Sequence, residues 1–154
     1  MRIAASVADL LDMPARPRRP GFQEDQAIPS PLPDLENAVS GGLPTTALFN
    51  VALRIAGNAE QASIIERRII PKSTLARRAG SGTLTREESE KTERLARLFA
   101  QATESLGSED EARLFLRRPH PELDGRVPLE AAITELGGRR VERILTALAY
   151  GLSV

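Results

Sequence analysis

Apolar residues along this chain recur with helical spacing and alternate nowhere over a useful length. Ile3, Val7, Leu10 and Leu11 stand at i, i+4, i+7 and i+8, which predicts a short amphipathic helix. The pattern then stops. Six of the eleven prolines fall between Pro14 and Pro33, each removing an amide donor and steering the residue before it away from helix. Pro14–Pro33 therefore reads as an extended linker or a disordered tail. A recognition arm carrying Arg16, Arg18 and Arg19 is the alternative.

From Leu43 onward the punctuation is helical. Pro44 opens a segment with Ala47, Leu48, Val51, Ala52 and Ile55 on one face, closed by Gly57. Asn58 caps a second helix carrying Ala62, Ile64 and Ile65, which Pro71 interrupts. Ser73–Ala79 is short and polar and ends at Gly80 and Gly82. Thr85 with Glu88 spells a capping box for a long helix bearing Leu95, Leu98, Phe99, Ala102 and Leu106, which stops at Gly107. Ser108 with Glu111 repeats the device for a helix ending at Pro119. Pro119–Val127, with Asp124-Gly125, predicts a tight loop. Pro128 restarts a helix that Gly137 and Gly138 interrupt, and a last helix with Val141, Ile144, Leu145 and Leu148 ends near Ala149. The prediction is an all-α chain.

Composition narrows the chemistry. With no cysteine there is no disulfide framework or thiol nucleophile, and one histidine cannot build a multi-histidine metal site. The absence of cysteine fits a reducing cytoplasm. No apolar run approaches the roughly 20 residues of a membrane span, and Asp9 and Asp12 interrupt what would have to be a signal sequence's apolar region. The glycine pairs at 41–42 and 137–138 lack the strand-to-helix setting of a phosphate loop. His120, between two prolines, is the one candidate general acid, and no nucleophile stands at an interpretable spacing from a base. The reading assigns no catalysis, cofactor or metal.

Charge carries more. The zero net charge divides into +3 over residues 34–86 and −3 over residues 87–154. Arg67, Arg68, Lys72, Arg77 and Arg78 form a run without an acidic residue, flanking two helices joined by a turn. That is the outline of a helix-turn-helix, whose second helix enters the major groove by its N-terminal end while nearby cations meet phosphates. Lys72, Ser73, Thr74 and Arg77 then face the groove, with Leu75 and Ala76 turned inward. A solvated basic face on an ordinary helical bundle satisfies the same spacing equally well. Ile65 and Ile69 also stand where such motifs place a small residue and a glycine.

Taken in order, several stretches from Gly42 to Val154 resemble the antitoxins of RES–Xre toxin–antitoxin modules. They are Gly42-Leu43-Pro44, Ile70-Pro71-Lys72-Ser73-Thr74-Leu75-Ala76-Arg77-Arg78 and Leu84-Thr85-Arg86-Glu87-Glu88-Ser89. Gly107-Ser108-Glu109-Asp110-Glu111-Ala112, Leu116-Arg117-Arg118-Pro119 and Gly125-Arg126-Val127-Pro128-Leu129-Glu130 follow, with Thr134-Glu135, Gly137, Val141-Glu142, Leu145 and Gly151 completing the series. Each is weak alone; their order over about 110 residues is specific. The chain departs from the family at Phe115 (often Trp), His120 (Asn or Lys), Asp124 (Gly) and Val127 (Thr). The apolar run at Ile65 and Ile69 resembles a RES-linked branch.

The resemblance implies an Xre-like helix-turn-helix at 42–100 continuous with a toxin-binding domain at 101–154, with residues 1–41 outside it. It implies neutralisation of a RES-domain, NAD-consuming toxin by covering its active site. A homodimer would repress its own operon through operator double-stranded DNA. The DNA-binding set is Arg67, Arg68, Lys72, Ser73, Thr74, Arg77 and Arg78. The toxin-binding set is Arg117, Pro119, Arg126 and Pro128 in the loop region, with Tyr150, Gly151, Leu152 and Val154 in the tail. The apolar faces of the Thr45–Ala56 and Thr85–Leu106 helices are the candidate dimer seam. A stand-alone transcriptional regulator, whose C-terminal half dimerises or senses a ligand, is the alternative function.

Overall fold

In the computed structural model, local signals at the helix ends set most boundaries. The structure describes residues 7–11, 13, 32–78 and 82–151. Within them lie α1 (Val7–Leu10), α2 (Leu32–Gly41), α3 (Thr45–Ala56), α4 (Ala59–Ile69) and α5 (Lys72–Arg78). α6 (Arg86–Leu106), α7 (Glu109–Arg117), a 3-10 turn (Pro121–Leu123), α8 (Pro128–Ala131) and α9 (Glu135–Ala149) follow. The fold is all-α: the described residues hold no strand, only an isolated bridge between Pro44 and Thr83.

The predicted caps are physical bonds. Thr85 Oγ1 accepts from the Glu88 amide at 3.2 Å, and the Glu88 carboxylate accepts from the Thr85 amide at 2.7 Å, which completes the capping box. Asn58 Oδ1 accepts from the Gln61 amide at 2.9 Å. Ser108 Oγ accepts from the Glu111 amide at 3.2 Å, but the reciprocal bond from Glu111 is not formed. Gly57 and Gly107 close α3 and α6 in the left-handed conformation.

Two of the predicted breaks differ from the sequence reading. α2 starts at Leu32 with Pro33 and Asp34 in its first turn, where a missing amide costs nothing and a carboxylate suits the helix dipole. Pro33 therefore opens a helix instead of closing a linker. Residues 14–31, which include the three arginines of the supposed arm, lie outside the described residues, as does Ile3.

Gly137 and Gly138 do not interrupt a helix. The chain breaks earlier, at Ala132–Thr134, and Thr134 Oγ1 caps α9 by accepting from the Gly137 amide at 3.1 Å. The two glycines sit inside α9 because there is no room for a side chain. A Cβ at Gly137 would lie 1.9 Å from the Ala131 carbonyl oxygen, and one at Gly138 would lie 2.7 Å from Arg94 Cδ. Arg94, nearly buried on α6, donates to the Ala132 and Ile133 carbonyls at 3.3 and 3.1 Å and pairs with Glu135 at 2.8 Å. One guanidinium thus closes α8 and fixes the start of α9, and the glycine backbone lets it approach.

α6 runs through the centre. At 21 residues and 1.5 Å each it spans about 31 Å. α1, α2, α3 and α4 pack against it on the helix-turn-helix side and α7 and α9 on the other. Leu95, Leu98 and Phe99 are fully buried there. Leu10 and Leu11 of the N-terminal segment are fully buried too, in the same core as α3 and α6. The apolar faces of α3 and α6 are spent in this way, so they are not a seam between copies. On α3, Leu53 alone among the large apolar side chains is left exposed.

Candidate functional site

The basic motif is built on α4, a two-residue turn and α5. Ile65 and Ile69 are buried, so the apolar run that seemed to count against the motif is the inner face of α4. Ile70, with no exposed surface, plugs the turn, and its amide donates to the Glu66 carbonyl at 2.9 Å. The Leu75 amide donates to the Pro71 carbonyl at 2.9 Å, which starts α5 immediately. α5 begins at Lys72, one residue before the predicted start, and buries none of its side chains. Leu75 is half-buried against the core, whereas Ala76 is exposed rather than turned inward. Ala79, at the predicted end, lies outside the described residues.

The seven predicted DNA-facing residues separate by partner. Arg67, Lys72, Ser73 and Arg77 are exposed and Thr74 is half-buried. Arg67, Lys72 and Arg77 make no ion pair among the described residues. Arg78 is held by the Glu88 carboxylate that also caps α6, which pins the end of α5 to the start of the central helix. Arg68 reaches Glu130 of α8 at 2.8 Å across a groove lined by Ile64, Arg117, Val127 and Leu129. Beside Arg67, burial pushes the Glu66 carboxyl above the usual carboxylate range, against the pull of the Arg67 charge.

The second cluster starts at the end of α7. Arg117, an exposed residue, donates to the Ala56 carbonyl at 3.5 Å, and Arg113 donates to the Arg54 carbonyl at 2.8 Å. Both satisfy open carbonyls at the C-terminal end of α3 and so join the two halves of the chain. Pro119 is exposed. His120 orders the loop after it: its Nδ1 accepts from the Glu122 amide at 3.2 Å, its amide donates to the Arg126 carbonyl at 3.1 Å, and its carbonyl accepts from Leu123 and Gly125. Its ring also meets Phe115 edge-on at 5.8 Å. This is a structural histidine. Arg126 is exposed, with Nε donating to the Leu123 carbonyl at 3.2 Å. Pro128 is buried at the first turn of α8, so it shapes the loop and offers no surface to a partner.

Arg140 of α9 holds this loop down, pairing with Asp124 at 2.9 Å and donating to the Glu122 carbonyl. The bond and charge of Arg140 keep the Asp124 carboxyl below its ordinary range. At the far end of α9, Tyr150 is 78% exposed and Gly151 is exposed with φ +66°. Leu152 and Val154 lie outside the described residues. Loop and tail therefore stand at different points along one helix. The outer side chains of α9 between them were missed in the sequence reading, although their spacing opposite Val141, Ile144 and Leu145 was legible.

This division, a bare second helix on one half and an exposed loop and helix on the other, is mirrored in comparisons with known proteins. Residues 34–97 match the antitoxin Xre-like helix-turn-helix domain, and residues 101–151 match the antitoxin Xre/MbcA/ParS C-terminal toxin-binding domain. The chain belongs to the Xre-type antitoxins. No curated protein matches it. The antitoxin's DNA-binding match takes in α2, ahead of the resemblance at Gly42, and α6 begins in one domain and ends in the other. Among the described residues no helix is long and apolar enough to cross a membrane, and no cluster of potential metal ligands forms.

Proposed function

We propose that this antitoxin neutralises a RES-domain, NAD-degrading toxin by covering its active site, and represses its own operon as a homodimer on operator DNA. The observation that carries the reading is the separation of two solvent-facing surfaces. Arg67, Lys72 and Arg77 are exposed and make no ion pair among the described residues, around a helix with no fully buried side chain, an arrangement open to phosphate and base contacts. Pro119, Arg126 and the exposed Tyr150 and Gly151 belong to the other half, while Arg117 stands at the border between the halves, in the groove that Arg68 spans.

The homodimer follows from DNA symmetry: two half-sites about one turn apart need two reading helices related by a two-fold axis. The tail adds local concentration, since a short segment tethered to a docked domain meets its pocket repeatedly. Tyr150 contributes a large side chain with few rotors.

Co-expression with a RES-domain, NAD-degrading toxin, sought in the reading frame beside the antitoxin's gene, tests the reading. The wild-type chain preserves cellular NAD and growth; deletion of Tyr150–Val154 lets NAD fall while operator binding persists. If the wild-type chain leaves NAD falling, RES neutralisation is wrong. If the truncated chain protects as well as the full one, the tail is not the neutralising element.

A further inference from the structure

We propose that the outer face of α9 is the surface on which the toxin docks, seated in a partner groove that is acidic at its middle and apolar at both ends. Leu136 and Tyr150 are the two most exposed large apolar side chains among the described residues, at 75% and 78%. At 100° per residue, Leu136, Arg140, Arg143, Ala147 and Tyr150 fall on one stripe, opposite the buried Val141 and Leu145, with the half-buried Arg140 and Ala147 on the edge nearer Ile144. Leu136 and Tyr150 are 14 residues apart, so the partner's two apolar pockets lie about 21 Å from each other.

Charge decides the occupant. Arg139 is paired with Glu135 at 3.1 Å and Arg140 with Asp124, but Arg143, midway along the stripe, is exposed and without an ion pair among the described residues. A second copy of this chain fits badly. Antiparallel self-pairing that set Leu136 on its copy's Tyr150 would set Arg143 on Arg143 at the two-fold axis, like charge against like. A partner with carboxylates at that point meets all three side chains at once. Tyrosine and arginine are also the side chains in which interface centres are enriched.

The stripe is continuous with the surfaces already proposed. Its first half carries Arg140, which holds the 120–126 loop through Asp124 and Glu122, and its last residue begins the tail. The inference rests on the neutralisation reading and names its surface: loop and tail are the two ends of one α9-centred face.

Titration calorimetry of the full chain with that RES-domain toxin tests it. Leu136→Asp and Tyr150→Ala each weaken binding at least about tenfold. Leu136→Asp remains compatible with the first turn of a helix, and melting curves verify that the fold is intact. Arg143→Glu weakens binding by at least as much and flattens its salt dependence, while Arg143→Lys retains most of it. Leu53→Asp, on α3, leaves binding unchanged. If Leu136→Asp/Arg143→Glu binds within twofold of wild type, the α9 face is wrong while the neutralisation reading stands. If the wild-type chain does not bind, the reading fails and the named occupant with it. Variants that lower the mass of the free chain by half would make the face a seam between copies and overturn the proposal.

Discussion

The Nδ1 atom of His120 accepts from the Glu122 amide, which makes the imidazole the cap of a single 3-10 turn. His120→Ala removes that acceptor and exposes an amide, at a cost of about 1 kcal/mol, or a melting point lower by about 2–4 °C for a chain of this size. His120→Asn keeps a side-chain acceptor and loses less than half as much. Equal losses in thermal melts would show that the ring's packing on Phe115, not the cap, carries the effect. Glu66 makes a pH-dependent case. Its folded carboxyl titrates above the unfolded value of 4.5, so the folded state holds the extra proton. Stability from this group is fully present below pH 4.5 and falls as pH rises through the raised value. Glu66→Gln should therefore raise the melting temperature at pH 7 and leave it nearly unchanged at pH 3.5. A gain of equal size at both values would remove desolvation as the cause.

At the scale of elements, α5 combines exposure with firm ends. Pro71 and Ile70 fix its start and the Arg78–Glu88 pair its end, so its cations divide into exposed, unpaired groups and one fastening group. Replacing Arg67, Lys72 and Arg77 by Ala should weaken operator binding at every salt concentration. It should also flatten the dependence of log K on log salt by about one unit for each phosphate that the protein no longer neutralises. Thermal stability should stay within about 0.5 kcal/mol per site, as for exposed substitutions generally. Arg78→Ala should lower stability as well, because it leaves the half-buried Glu88 with one partner fewer. Operator shifts and thermal melts on the same proteins separate the two groups. A triple variant that shifts operator DNA like wild type would put the reading helix elsewhere. These elements were readable because their signals are local: Asn58, Thr85 and Ser108 announce their helices, and Gly57 and Gly107 their ends. What was not readable depends on neighbours distant in sequence. Gly137 and Gly138 look like breakers until Arg94, some forty residues earlier, occupies the space above them. Arg68 reads as an unpaired cation until Glu130 is placed beside it. Pro33 reads as linker because its role depends only on whether a helix follows.

At the scale of the molecule, α6 makes the two domains one cooperative object. α2 and α3 from one domain and α7 and α9 from the other all pack on it, and the ion pairs Arg54–Glu109 and Arg68–Glu130 bridge the same division. The core also depends on the N-terminal segment, since Leu10 and Leu11 are fully buried between α3 and α6 although a proline-rich stretch separates them from the rest. Removing a fully buried leucine side chain costs about 2–5 kcal/mol, a large part of the 5–15 kcal/mol that holds a domain together. Leu11→Ala should therefore lower a single melting transition and weaken operator binding and toxin neutralisation together, in proportion to the fraction unfolded. Surface variants should behave differently: the Arg67, Lys72 and Arg77 triple should lose DNA alone, and deletion of Tyr150–Val154 should lose the toxin alone. Calorimetry of the wild type and of Leu11→Ala, with both binding assays on the same samples, checks this coupling. Two resolved transitions, of which Leu11→Ala moves only the one assigned to the helix-turn-helix, would mean that α6 does not transmit stability between the halves, and that the N-terminal leucines serve DNA binding alone.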